Sequence, residues 1–210
     1  MPRKLLDKSN LTAYTTDAAA QLMVELIATY GFKLIIKKDR ATKLGDYTHP
    51  TPQRPYHQIT INGSLNKYAF VITFMHEVAH LITWNNYKRK VSPHGEEWKR
   101  AYHNLLFPLI SPTYFPEDVQ IALKRHCNHI KSSSSYDIQL TEVLGKYNED
   151  AEPATTIKDI ALGNSFKYKG RIFIKGTPLR TRIKCECITN RKSYVFHPLA
   201  PVELLEENLV

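Results

Sequence analysis

The stretch that most constrains this chain is residues 70–84, Phe-Val-Ile-Thr-Phe-Met-His-Glu-Val-Ala-His-Leu-Ile-Thr-Trp. Neither Pro nor Gly interrupts it. Apolar residues recur at helical spacing, which predicts one helix over about residues 66–86. Inside it stands His76-Glu77-Val78-Ala79-His80. Residues four apart on a helix share a face one turn apart, so the imidazoles of His76 and His80 can share one metal ion. Glu77 is rotated by about 100° from His76, close enough to polarise a water on that metal without being a ligand itself. The chemistry this predicts is zinc-assisted hydrolysis.

A catalytic zinc needs a third protein ligand and an open fourth position. After His80 the chain runs Leu-Ile-Thr-Trp-Asn-Asn-Tyr-Lys-Arg-Lys-Val-Ser-Pro and reaches His94, followed by Gly-Glu-Glu-Trp98. His94 follows a polar, basic turn and opens a second helical run over residues 94–107. The chain can therefore leave the first helix, reverse, and return His94 to the metal.

Two blocks in this order, H-E-x-A-H-L-x-x-W and V-x-P-H-G-x-E-W-K, resemble the SprT-like (Spartan-related) zinc metalloprotease family. The resemblance is clear over about residues 31–102. It implies zinc on His76, His80 and His94, with Glu77 as general base. It further implies a zincin-like α+β domain and protein substrates on, or crosslinked to, DNA.

The surrounding sequence fits an α+β order. Thr15-Thr16-Asp17 offers N-cap chemistry for a helix over residues 18–30, closed by Gly31. Residues 32–38 and 57–61 read as strands, separated by a Pro-rich loop over residues 42–56. Gly45-Asp46-Tyr47 falls where the resembled family runs a strand near its cleft, so it is either an edge strand that holds an extended peptide or a loop and short edge strand with no substrate role. Trp84 and Trp98 lie on apolar helical faces and are assigned to core packing. His49, His57 and His103 lack a partner at metal-ligand spacing, and Lys88-Arg89-Lys90 reads as a solvated turn that could also meet a phosphate backbone. A helical pattern over residues 117–131 carries His126-Cys127-Asn128-His129. Adjacent helical positions diverge, so these side chains do not converge on a metal.

Four serines at 132–135 suggest a flexible break, and residues 137–159 read as helix plus linker. The expected division is a metalloprotease domain at 1–155 and a small basic β-module at 156–210. The chain carries a formal charge of +9, and residues 165–198 hold nine Lys/Arg against one acidic residue, a net +8. Such a concentration predicts a polyanionic partner. In a strand predicted over residues 179–188, alternation puts Arg180, Arg182 and Lys184 on one face and Cys185 and Cys187 on the other. That basic face is the candidate nucleic-acid contact. Many SprT-like proteins end in a zinc ribbon built from two C-x-x-C pairs. This chain has only Cys185-Glu186-Cys187 there, so the module is expected to be a ribbon held by apolar side chains without a metal.

Three cysteines in 210 residues fit a reducing compartment. No run reaches the roughly 18 apolar residues of a membrane span, and the N-terminus lacks an apolar signal core. A cytoplasmic protein is expected, nucleoid-associated in a bacterium. The sequence thus predicts a peptidase with one Zn²⁺ per chain, acting on DNA-associated proteins. Its rival is a nucleic-acid-associated regulatory protein whose zinc site is structural or weakly active, and Glu77 argues for catalysis because a structural site needs no base. A zinc peptidase for small peptides, independent of DNA, is the third possibility.

Overall fold

The computed structural model describes residues 8–38, 40, 43–130, 137–148 and 155–205. It divides into two compact units, Met1–Glu149 and Asp150–Val210. The four-serine run at 132–135 and the linker residues 149–154 lie outside the described residues.

The first unit is mixed α+β. A short helix α1 (Lys8–Leu11) leads into α2 (Asp17–Tyr30). The Thr16 side chain caps α2 by accepting from the Ala19 N–H, and Gly31 ends it in the left-handed region at φ 63°. Three strands follow, β1 (Phe32–Lys37), β2 (Gly45–Thr48) and β3 (His57–Asn62). The sheet order is β1-β3-β2, with β1 parallel and β2 antiparallel to β3. β2 is thereby an edge strand, and residues 45–47 lie on it.

Against this sheet lies α3 (Lys67–Tyr87), at 21 residues the longest helix among the described residues. Its N-terminus is capped by Asn66, whose Oδ1 accepts from the N–H groups of Tyr68 and Ala69 at 3.2 and 3.0 Å. The helix is apolar on nearly every side because it is enclosed: Phe70, Val71, Phe74, Met75, Val78, Ala79 and Leu81 are all fully buried. Helices α4 (Glu96–Leu106), α5 (Glu117–Asn128) and α6 (Ile138–Gly145) complete the unit. Asn66 Nδ2 donates to Leu144 O at 2.8 Å and to Asn148 Oδ1 at 2.7 Å, tying the start of α3 to the end of α6. No helix among the described residues is long and apolar enough to cross a membrane.

The second unit is a five-stranded antiparallel sheet. Its strands are β4 (Ser165–Tyr168), β5 (Arg171–Pro178), β6 (Ile183–Cys187), β7 (Ser193–Phe196) and β8 (Glu203–Leu204). They are ordered β7-β6-β5-β4-β8. Phe166, Phe173, Ile183, Cys185, Cys187 and Phe196 form its core with Ile157 and Ile160.

The C-terminal hairpin differs from the sequence expectation. Gly176-Thr177-Pro178, a sequence that suits a turn, continues β5 through a register shift between Lys175 and Pro178. A Cβ at Gly176 would stand 2.6 Å from Lys184 O, so only glycine lets β6 pass this close. The reversal comes directly after Pro178, where the Leu179 N–H donates to Arg182 O at 2.7 Å. The strand predicted over residues 179–188 therefore starts at Ile183, and Arg180 and Arg182 belong to the turn. Their alternation with Leu179 and Thr181 was a chance continuation of the true strand pattern. Leu179 is half exposed, while Ile183, Cys185 and Cys187 face the core.

Candidate metal centre

Two elements and one turn build the site. His76 and His80 project from one face of α3, one turn apart. His94 precedes α4 at φ 59°, a left-handed conformation held by the Gly95 N–H donating to Ser92 O at 2.9 Å. That backbone turns the chain back onto α3. Nε2 of His76 lies 3.2 Å from Nε2 of His80 and 3.3 Å from Nε2 of His94. The ligand atoms of all three lie within 4.8 Å of one another. This group could hold a metal ion, and it is the one such group of three or more among the described residues.

Trp98 carries the cluster. It is fully buried on α4, and its ring centroid lies 4.7, 5.3 and 4.6 Å from those of His76, His80 and His94. Tyr102, one turn further, stacks on Trp98 at 5.0 Å. Behind Tyr102 stands His126, whose Nδ1–H donates to Asp137 Oδ2 at 3.0 Å. Sequence patterning assigned Trp98 to the core correctly, but apolar periodicity carries no sign that the same ring touches three imidazoles. His126 is turned inward to Asp137 on α5, as expected of a helix whose adjacent residues diverge.

Burial sets the protonation of the site. Removed from water, and with the charges of the neighbouring imidazoles second, His76 is pushed down to about 2 and His80 to about 3; His94 is lowered by burial alone. All three are therefore neutral at pH 7, the form in which an imidazole nitrogen binds a metal.

Glu77 is buried beside them, on the flank facing β2. Burial, followed by the nearby Asp46 carboxylate, raises it to about 8, against a hydrogen bond from the Tyr47 backbone N–H and the charges of Arg40 and Lys43. The edge strand passes unusually close. A Cβ at Gly45 would lie 2.6 Å from Glu77 Oε1 and 2.7 Å from Thr73 Cγ2, so glycine is what admits the strand.

Tyr47 and His57, neither marked by spacing in the sequence, also border the site. The Tyr47 ring lies parallel to that of His80 with centroids 6.5 Å apart, and its hydroxyl is hydrogen-bonded to His57 Nδ1 at 2.8 Å. Strand pairing, which places Tyr47 opposite Ile59, brings them together. Of the second unit's basic residues, Lys184 points outward from β6 and is exposed, as are the turn residue Arg180 and, in part, Arg182. The intended common strand face is not formed.

Comparison with known proteins places this arrangement. Residues 15–120 match the SprT-like family. The chain is similar to Protein SprT of Cronobacter sakazakii, 26% identical over 140 residues covering 57% of this chain and 81% of that one. It is also similar to Protein SprT of Enterobacter sp., 27% identical over 137 residues covering 56% and 79%. A third match, Protein SprT of Erwinia tasmaniensis, is 30% identical over 88 residues, covering 34% and 51%. No solved structure matches the chain significantly. The family match takes in all three histidines, Glu77, Gly45 and Trp98.

Proposed function

Since the chain belongs to the SprT-like family, we propose that it is a zinc-dependent peptidase acting on proteins associated with, or crosslinked to, DNA. The observation that carries this is the convergence of three neutral imidazoles with a buried carboxylate directly beside them. The spacing suits zinc. At a Zn–N distance of 2.0–2.1 Å, the edge of a tetrahedral site is about 3.3 Å, and the two measured Nε2 separations are 3.2 and 3.3 Å.

His76, His80 and His94 are the residues that hold the ion in this reading. Zinc supplies a Lewis acid that lowers the pKa of water towards about 7 and polarises the scissile carbonyl. The remaining chemistry belongs to the chain. Glu77 takes a proton from the attacking water as its oxygen bonds to the carbonyl carbon. Glu77 then delivers that proton to the departing amide nitrogen as the C–N bond breaks. A carboxyl held near the neutral range by burial suits both halves of this transfer. The Tyr47 N–H fixes its orientation, and edge strand β2 offers a template on which an extended peptide can lie beside the base.

Association with DNA draws its support from charge: +9 overall and +8 within residues 165–198, where Arg180, Arg182 and Lys184 are the contact candidates. The test is cleavage of a DNA-bound protein with and without DNA, using Glu77→Gln as control. Cleavage that requires both DNA and Glu77 is the expected result. Cleavage of peptides without DNA stimulation would point to a general peptidase. Retention of zinc with no Glu77-dependent cleavage would leave a structural metal site.

A further inference from the structure

A second basic surface lies on the first unit, beginning one helical turn beyond His80. Residues 47–57 and 84–94 contain Arg54, Lys88, Arg89 and Lys90 and no Asp or Glu. The fold brings these two segments together. The His49 ring stacks on Trp84 with centroids 3.9 Å apart and planes 6° from parallel. Trp84 is four residues after His80, so on α3 it occupies the same face as that ligand, about 6 Å further along the axis.

Aromatic rings hold the cations here. The Lys88 ammonium lies 6.0 Å from the centre of Trp84, and the Arg54 guanidinium and Lys33 ammonium lie 5.8 and 5.9 Å from that of Tyr56. Arg54 also donates to His49 O, which fixes its fork. Lys33, Arg54, Lys88, Arg89 and Lys90 have no carboxylate partner among the described residues, and the acids that flank the two segments, Asp46 and Glu96, are engaged elsewhere. Asp46 pairs with Lys43 at 2.6 Å, and Glu96 pairs with Lys99 at 2.7 Å. The field they generate is felt at His57, lowered by burial first and then by the charges of Lys88, His49 and Arg54.

The geometry points to this ledge as a docking surface for the phosphodiester backbone of nucleic acid, held next to the metal centre. Five cations without a carboxylate partner among the described residues, four on these two segments and Lys33 on β1, form a strip rather than a single-anion pocket, which suits a polymer with one charge per residue. The ring faces are occupied in holding cations. An acidic polypeptide would instead look for apolar recesses to anchor its side chains. Recognition through charge alone is also independent of base sequence. The inference deepens the reading of the substrate as a protein on DNA and rests on it for the nature of the polyanion. It adds that the DNA runs past the peptidase unit itself, so that a crosslinked protein is presented where Glu77 works.

The experiment measures binding of a fluorescein-labelled dT20 strand by the full chain loaded with zinc, as a function of salt. The Lys88→Gln/Arg89→Gln/Lys90→Gln variant alters only exposed residues, and its fold is checked by zinc content and melting temperature. Loss of three phosphate contacts reduces the log–log salt slope by about 2 and weakens binding at least tenfold at low salt. An unchanged slope and affinity overturn the proposal. If polyglutamate competes as strongly as unlabelled dT20 at equal charge, the surface is one for acidic polypeptides and the proposal also falls. Failure here is separable from failure of the peptidase reading. Loss of dT20 binding in the triple variant, in a protein that shows no Glu77-dependent hydrolysis, supports the ledge and removes the peptidase.

Discussion

Glu77 and its neighbours make the sharpest residue-scale predictions. Glu77→Gln keeps side-chain volume and all three imidazoles, so zinc should remain bound while hydrolysis falls by about 10²–10⁴-fold. His94→Ala should instead lower zinc affinity, read by competition with a chelating dye. Gly45→Ala drives a methyl into Glu77 Oε1 and Thr73 Cγ2. The strand must move, which should cost about 1–3 kcal/mol of stability and lower activity with it. The buried titratable groups also set a pH profile for the metal-free chain. Burial pushes His76 down to about 2 and His80 to about 3 in the fold, against about 6.5 when unfolded. Below pH 6.5 the unfolded chain binds the extra protons, so their contribution is present above that pH and lost as pH falls. Glu77, raised from 4.5 to about 8, acts oppositely and weakens the fold as pH rises towards 8. With more than one histidine against one carboxyl, denaturation midpoints of chelator-treated protein should peak near pH 6.5–7. A midpoint unchanged between pH 7 and pH 5 would show that the imidazoles are not buried as neutral groups.

Among elements, α3 dominates. It positions two of the three imidazoles and the base, yet its start depends on Asn66, which caps it and binds Leu144 and Asn148 at once. Asn66→Ala removes the cap, a loss of about 1 kcal/mol, and the bonds to Leu144 and Asn148 besides. In a unit of about 150 residues that corresponds to a fall in Tm of about 2–4 °C or more. Scanning calorimetry of the variant checks it, and a Tm within 1 °C of the parent would show that the cap is redundant. The β5–β6 hairpin depends in the same way on Gly176, because the Lys184 carbonyl occupies the space of any larger side chain.

On the scale of the whole molecule, metal and charge are the two properties to test. One Zn²⁺ per chain is expected, bound by the first unit. Cys185 and Cys187 are buried in the apolar core of the second. Metal analysis showing a second zinc that disappears in Cys185→Ser would reverse this. The +8 charge of residues 165–198 is the ground for testing the second unit as a nucleic-acid contact. Replacing Arg180, Arg182 and Lys184 with Gln should reduce the salt slope for single strands by roughly 2 and lower cleavage of DNA-bound protein. The absence of a common strand face for the three leaves charge, rather than geometry, as the basis of that expectation.

What the sequence determined by itself is local. An uninterrupted apolar run specified α3, and helical spacing alone aligned His76 with His80, because a helix fixes the relation between residues four apart. Thr16 and Gly31 marked helix ends through capping chemistry that acts within a few residues. Relations between distant segments were decided by tertiary structure. The sequence does not state that Trp98 underlies all three imidazoles, that Gly45 admits β2 against Glu77, or that His49 stacks on Trp84. Each depends on how separate elements pack. The hairpin shows the same limit from the other side, for Arg180 and Arg182 extend the two-residue alternation of β6 backwards into residues where the chain is still turning. Alternation describes which way a strand's side chains point, whereas the position of the reversal is set by the register of β5 against β6.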